Sequence, residues 1–268
     1  MTSAPYPRTR WSFGAREEGV RALPEETPIA LVHDAATTAV MMATPADLED
    51  FAVGFSVTEG LVAAPEEIKG VEIAPGDLGI EVRIWLKQPA SAALAGRRRR
   101  IAGPTGCGLC GLDSLIEAAR PPPRTPTGET VTAATIQRAL ADLLPAQALG
   151  AATRAAHAAA WWTPGAGIVA LREDVGRHNA LDKLVGALAR AGVPAIDGLL
   201  LLTSRVSVEM VQKAAVLGAQ ILVAVSAPTA LAVRTAAAAG MTLVAVARDD
   251  GFEVFTHPER IVEGDPGC

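Results

Sequence analysis

The second half of the chain alternates short, wholly apolar runs with longer helical stretches, and this rhythm constrains the fold more than any other feature. GIVALRE (167–173), GLLLLT (198–203), ILVAVS (221–226) and TLVAVA (242–247) are separated in turn by HNALDKLVGALARAG, SVEMVQKAAVLG and PTALAVRTAAAAG. Apolar runs without polar alternation mark strands covered on both faces, and each intervening segment is long enough for a crossover helix. Right-handed crossovers turn β-α-β-α-β-α-β into a parallel sheet inside a three-layer α/β unit, with helices expected on both faces. Aromatic residues are only 4% of the chain, so the core is aliphatic.

In such a sheet every strand ends at one edge, and every following helix begins there. LREDVGRHN, TSRVS, VSAPT and ARDDG fall at that edge and collect most of this half's polar residues, among them Arg177, His178, Arg205, Arg248, Asp249 and Asp250. Helix N-termini offer free N–H groups and partial positive charge, which suits an anion such as phosphate. Singly, each residue reads equally as a cap or turn. Together, the arginines and the histidine mark a ligand crevice. His157, in RAAHAAAWW, reads as structural, and Trp161 and Trp162 as core or dimer interface. Asp182 and Lys183 are expected in surface pairing or structural contacts. Glu59, Asp47 and Asp50 form no acid–base pair.

The first half reads as mixed α and β. PIALVHD (28–34) and GIEVRIWLKQ (79–88) are strand-like, and TPADLEDFAVGFSVTEG (44–60) is a helix with Thr44 as N-cap, Pro45 at N1 and Gly60 at its end. PPPRTPTGE, from Pro121, cannot sit inside a helix or a central strand. The expected layout is an N-terminal mixed α/β domain (1–120), a proline-rich linker (121–128) and a C-terminal α/β domain (129–268). Net charge is −5, which argues against nucleic acid as a partner. The longest apolar runs are too short to span a bilayer, and the N-terminus lacks a secretory profile, so a cytoplasmic protein is expected.

Three cysteines in a chain of this kind do not make a disulfide framework. Two of them, Cys107 and Cys110, form one CxxC within RRRRIAGPTGCGLCG (97–111), while Cys268 ends a polar tail. A zinc site needs about four ligands, and neither a second CxxC nor a histidine pair is present. The His-x-Glu of zinc deaminases is missing, and so is the proline before the first cysteine. A thiol oxidoreductase fits the helical DSLIEAAR downstream but not the glycine-rich surroundings. A sulfur carrier needs a nucleophilic thiolate on an exposed loop, and the following helix start and Arg97 to Arg100 both favour thiolate over thiol.

RRRRIAGPTGCGLCG resembles the arginine-then-CGxCG segment of the FdhD family of formate dehydrogenase accessory sulfurtransferases. The resemblance continues through TPADLEDFAVGFSVTEG, DVGRHNALDKLVG, SRVSVEMVQKAAVLGAQILVAVSAPTALAV and MTLVAVARDDGFEVFTHPERI, from about residue 27 to 262. It implies a homodimer whose C-terminal domain resembles the cytidine deaminase fold, without the zinc site. It implies persulfide transfer from a cysteine desulfurase to the bis-molybdopterin guanine dinucleotide form of the molybdenum or tungsten cofactor, for formate dehydrogenase. By position, Cys107 would bear the persulfide, with Cys110 as its partner. The segment Val246, Ala247, Arg248, Asp249, Asp250 and Gly251 would bind the cofactor, whose phosphates suit the helix N-termini and Arg177, Arg205 and Arg248; His178 reads evenly as a phosphate contact or a helix cap, and Asp249 suits the guanine donors. The alternatives are a cofactor chaperone without obligatory persulfide transfer, or a CxxC thiol oxidoreductase. Three departures stand out: Gly251 ends VARDDG where relatives carry a second arginine, Ser204 stands where glycine is usual, and Gly106 where serine is frequent.

Overall fold

The computed structural model describes residues 1–88, 90–91, 121–126, 128 and 130–263. The expectations for Cys107, Cys110, the four arginines, DSLIEAAR and Cys268 lie outside the described residues.

β1 (Ser3–Ser12) and β2 (Ala15–Pro24) pair as a separate antiparallel ribbon. β3 (Thr27–His33), β4 (Ala36–Ala43), β5 (Ile68–Gly76) and β6 (Gly79–Leu86) form a sheet in the order β4-β3-β6-β5. Alternation in β3 and β6 turns Ile29, Leu31, Val82 and Ile84 inward against Phe51, Ala52 and Phe55 of helix α1 (Leu48–Thr58). The helix begins later than its sequence suggests: its N-cap is Asp47, in the left-handed conformation, not Thr44. Thr44 is drawn away by the far half of the chain. Its N–H donates to Asp174, its hydroxyl accepts from the Val175 N–H, and its carbonyl accepts from Lys183.

The second half begins with β7 (Val131–Thr132), α2 (Ala133–Ala146), α3 (Ala148–Thr153) and β8 (His157–Thr163). Then come β9 (Gly167–Asp174), α4 (Arg177–Ala191), β10 (Leu199–Leu202), α5 (Val208–Leu217), β11 (Ile221–Ala224), α6 (Ala230–Ala239), β12 (Thr242–Arg248), β13 (Gly251–Thr256) and β14 (Ile261–Val262). The six-stranded sheet runs β13-β12-β11-β10-β8-β9, and β14 pairs with β7. β10, β11 and β12 are parallel neighbours. β8 is antiparallel to both β10 and β9, so β9 points the same way as the other three without touching them.

The expected all-parallel sheet is therefore a mixed one, with β8 inserted and β13 antiparallel at the far side. Helices cover both faces, as expected, but the crossovers supply only one of the two layers. All three crossovers step in one direction across the sheet, so one hand puts all three helices on one face. There α4, α5 and α6 bury Trp161, Leu200, Leu202, Leu222 and Leu243. The other face carries α2, whose Ile136, Ala139, Leu140 and Leu143 cover Trp162, Leu201, Val223 and Val244. Trp161 and Trp162 thus face opposite ways, both 1% exposed, and the Trp162 indole donates to Asp142 at 2.7 Å. The proline-rich stretch is docked: Thr125 is buried, and its N–H donates to the Ala239 carbonyl at the end of α6.

The two halves meet where α1 crosses α4. A Cβ on Gly54 would lie 1.7 Å from the Asp182 carbonyl oxygen, and one on Gly186 would lie 1.9 Å from that of Asp50. Only glycine lets the two backbones approach so closely.

Candidate functional site at the carboxyl edge of the large sheet

β9, β10, β11 and β12 all end at one edge, and β8 begins there, its His157 opposite Asp174. The loops after β10 and β11 are zipped together: Val206 N–H donates to the Ala227 carbonyl, and Thr229 N–H to that of Val206. This gives a firm platform between the starts of α5 and α6.

The three helix starts differ. Thr229 caps α6 by accepting from the Ala232 N–H at 3.2 Å. Gly176 and Ser207, which precede α4 and α5, provide no side-chain cap. Around these two uncapped starts, four side-chain atoms are buried without a hydrogen-bond partner among the described residues: Arg177 Nε, His178 Nε2, Ser207 Oγ and Glu209 Oε2. An unmet buried polar atom costs about 1–3 kcal/mol. Four together, beside two sets of free helix N–H groups, form a recognition surface of both donors and acceptors. The guanidinium donates, the carboxylate accepts, and the hydroxyl and neutral imidazole do either.

His178 is neutral. Burial, then Arg177 and Lys213, pull its pKa down from 6.5 to about 4, against weaker opposition from Glu209 and Glu59. His157 is also pulled down, by burial first and then by Arg177, with Asp174 opposing and Arg205 adding to the fall. These couplings place His157, Arg177 and Arg205 around one stretch of the edge. Behind His178 lies a buried ionic cluster. Lys213 Nζ reaches Asp182 at 2.9 and 3.0 Å, Glu59 at 2.7 Å and the Thr58 hydroxyl at 2.9 Å. Burial alone would lower the lysine, but the two carboxylates outweigh it and hold it charged.

Other polar residues of the edge are already used. Asp174 accepts from the N–H groups of Thr44 and Gly176, from Asn179 and from Lys183. Glu173 accepts from the Leu149 and Gly150 N–H groups. Arg172 pairs with Asp50, which also takes Arg190. Asp182 and Lys183 prove to be buried structural groups, at 1% and 0% exposure, and not surface ones.

The hexapeptide from Val246 to Gly251 lies at the same edge but four strands away, roughly 19 Å from the Arg177 end at the usual strand spacing. Arg248, Asp249 and Asp250 are exposed in the turn between β12 and β13, while Ala247 faces the core. Val246 has φ +52°, a conformation that costs a β-branched residue strain, at a bulge where pairing with β13 slips between Ala245 and Arg248. Backbone strain of this kind concentrates at functional sites. The candidate residues therefore form two groups joined by the zipped loops.

One contributor escaped the sequence reading: Glu209 reads as an ordinary first-turn acid of a helix, and its buried oxygen, unpartnered among the described residues, emerges only from the fold.

A three-layer α/β unit with a polar carboxyl edge and two uncapped helix starts is the architecture of a ligand-handling protein, not of a structural module. The chain belongs to the FdhD/NarQ family, whose model matches residues 24–262. It is 49% identical over 256 residues to the sulfur carrier protein FdhD of Agrobacterium fabrum, covering 95% of this chain and 94% of that one. It is 53% identical over 248 residues to the protein of the same name from Brucella abortus, covering 92% of each. A crystal structure from Desulfotalea psychrophila, assigned as a formate dehydrogenase accessory protein, superposes with TM-score 0.74 at 26% identity, covering 98% of this chain and all of that one. Among the described residues, no helix is long and apolar enough to cross a membrane.

Proposed function

We propose that this chain is a sulfurtransferase that carries sulfur as a persulfide on Cys107 and delivers it to the bis-molybdopterin guanine dinucleotide cofactor, of molybdenum or tungsten, destined for formate dehydrogenase. The Cys107 thiolate attacks the sulfane sulfur of a cysteine desulfurase persulfide, and the desulfurase thiolate leaves as the S–S bond breaks. For release, the Cys110 thiolate attacks Cys107 Sγ: the persulfide S–S bond breaks, hydrosulfide leaves for the acceptor, a Cys107–Cys110 disulfide forms, and an external thiol reductant restores the two thiols. The acceptor is the substrate of this chemistry, and it lies along the carboxyl edge of the large sheet.

One observation carries the reading: Arg177, His178, Ser207 and Glu209 present unmet buried polar atoms at two uncapped helix starts. A nucleotide supplies phosphates for the helix N–H groups and a base with donors for the carboxylate. A span of roughly 19 Å suits an acceptor with two nucleotide arms, one of them near Arg248 and Asp249. The strand order, with an antiparallel strand between β9 and β10, supports a deaminase-type sheet. The relatives' name supports the sulfur-carrier role, which is expected to operate as a homodimer in the cytoplasm.

The test is intact mass spectrometry after incubation with a cysteine desulfurase and cysteine, paired with GDP titration. The expected result is a reductant-labile gain of about 32 Da, one sulfur, lost in Cys107→Ala. GDP binding should survive Cys107→Ala and weaken in Arg177→Gln. No mass gain, with GDP binding intact, would leave a cofactor chaperone in its place.

A further inference from the structure

Outside the carboxyl edge, the ribbon of β1 and β2 leans on α3 and leaves a cleft of about 690 Å³ between them. Arg8, Arg10, Arg21 and Arg154 line it, and its surface is mostly polar. On a strand, alternate residues share a face. The register sets Tyr6, Arg8 and Arg10 opposite Arg21, Gly19 and Glu17. Two arginines of β1 and one of β2 therefore share one face of the ribbon, and Arg154 joins them in the cleft from the end of α3. Glycine at position 19 leaves room, since the Arg8 guanidinium passes 3.7 Å from where a Cβ would stand. Arg21 donates to the Thr153 carbonyl at 3.1 Å, which ties ribbon to body.

Among the described residues, none of these four guanidinium groups forms an ion pair. Glu17 is the one carboxylate on their face, and Glu18 is taken on the opposite face by Thr9 and Arg16. In a chain of net charge −5, four guanidinium groups gathered around one carboxylate, Glu17, repel one another, and among the described residues only Arg21 of the four is tied to the body by its side chain. They suit a ligand with two or more phosphate groups, because guanidinium forks pair bidentately with phosphate oxygens. The volume is that of a small-molecule site, and among the described residues the one large apolar side chain lining the cleft, Val20, is exposed and not a buried anchor of the kind that holds a protein partner.

We propose that this cleft is a second anion site, separate from the carboxyl edge, which binds a pyrophosphate-bearing small molecule. It goes beyond the sulfur-carrier reading and does not depend on it. Much of it lies outside the family match, since Arg8, Arg10 and Arg21 precede residue 24.

Calorimetric titration with inorganic pyrophosphate at low salt tests the site on four forms of the full chain. Arg10→Gln/Arg154→Gln should bind at least about ten-fold more weakly than the wild type. Arg16→Gln/Arg234→Gln, which removes the same charge elsewhere, should bind as the wild type does, whereas Arg177→Gln should keep the binding step of the cleft and lose only binding that belongs to the carboxyl edge. Both cleft arginines are exposed, so an unchanged melting temperature confirms folding of the variant. No binding to the wild type, equal binding by the cleft variant, equal loss in the control pair, or loss confined to Arg177→Gln would each overturn the proposal.

Discussion

His178 illustrates how one side chain can report on a whole site. Its imidazole is held neutral, with a pKa near 4 against an ordinary value of 6.5. A depressed histidine binds its proton more readily in the unfolded chain than in the folded one. The stability that it contributes is complete above about pH 6.5 and is lost as the pH falls toward 4, to the extent of about 3 kcal/mol. Urea denaturation at about pH 7 and about pH 4.5 should show a smaller acid-induced loss in His178→Gln than in the wild type. An identical loss in both would mean that the ring is not the titrating group. The same shift bears on chemistry, because a neutral ring next to Arg177 can accept or donate one hydrogen bond without adding charge to an anionic ligand. A protonated ring would serve phosphate but not a base edge.

At the scale of elements, the crossing of α1 and α4 depends on two small residues. Gly54→Ala places a methyl group against the backbone of Asp182, where no rotamer can relieve it. The helices must part, at a cost of about 3 kcal/mol or more. Gly165→Ala, at a position with open space around it, should leave the melting temperature almost unchanged. Val246 offers the opposite case. Val246→Gly relieves a left-handed valine and should stabilise the fold by about 1 kcal/mol. It should also weaken GDP binding if the bulge aims the Arg248 turn; tighter GDP binding in the glycine variant would remove that role. The sequence announces β9 to β12 plainly, because a short apolar run set between two helices buries itself best as a strand covered on both faces. β8 is silent, since alanines and a lone histidine carry no strand period and its place depends on pairing with distant segments. β1 is hidden by Pro5 and Pro7, which argue against a central strand. They are tolerated because a two-stranded ribbon has only edges. The edge with Arg177 and Arg205 was visible because topology alone dictates it, whereas Glu209 became visible only through its burial.

At the scale of the whole molecule, the carboxyl edge is held from behind by charges that belong to both halves. Lys183 and Asp174, wholly buried and 2.6 Å apart, share Thr44 from the segment before α1. Lys213 and Asp182 share Thr58 from the end of α1, and Lys213 also pairs with Glu59, the residue after it. The first cluster stands at the end of β9, immediately before the Arg177 and His178 pocket, and the second lies directly behind His178. Replacing Lys183 by methionine keeps most of the volume but strands Asp174 without its counter-charge. Stranding a buried charge costs about 3–5 kcal/mol, far more than the pair itself contributes. Because both clusters join the halves, the loss should appear as one calorimetric transition moved to lower temperature, with the small sheet and the large sheet melting together. A trace that splits in two, with the large-sheet transition unmoved, would show instead that the ions serve only local packing. A single shifted transition with weakened GDP binding would make the contact between α1 and α4 part of the site, because the pocket would then depend on a framework to which α1 belongs.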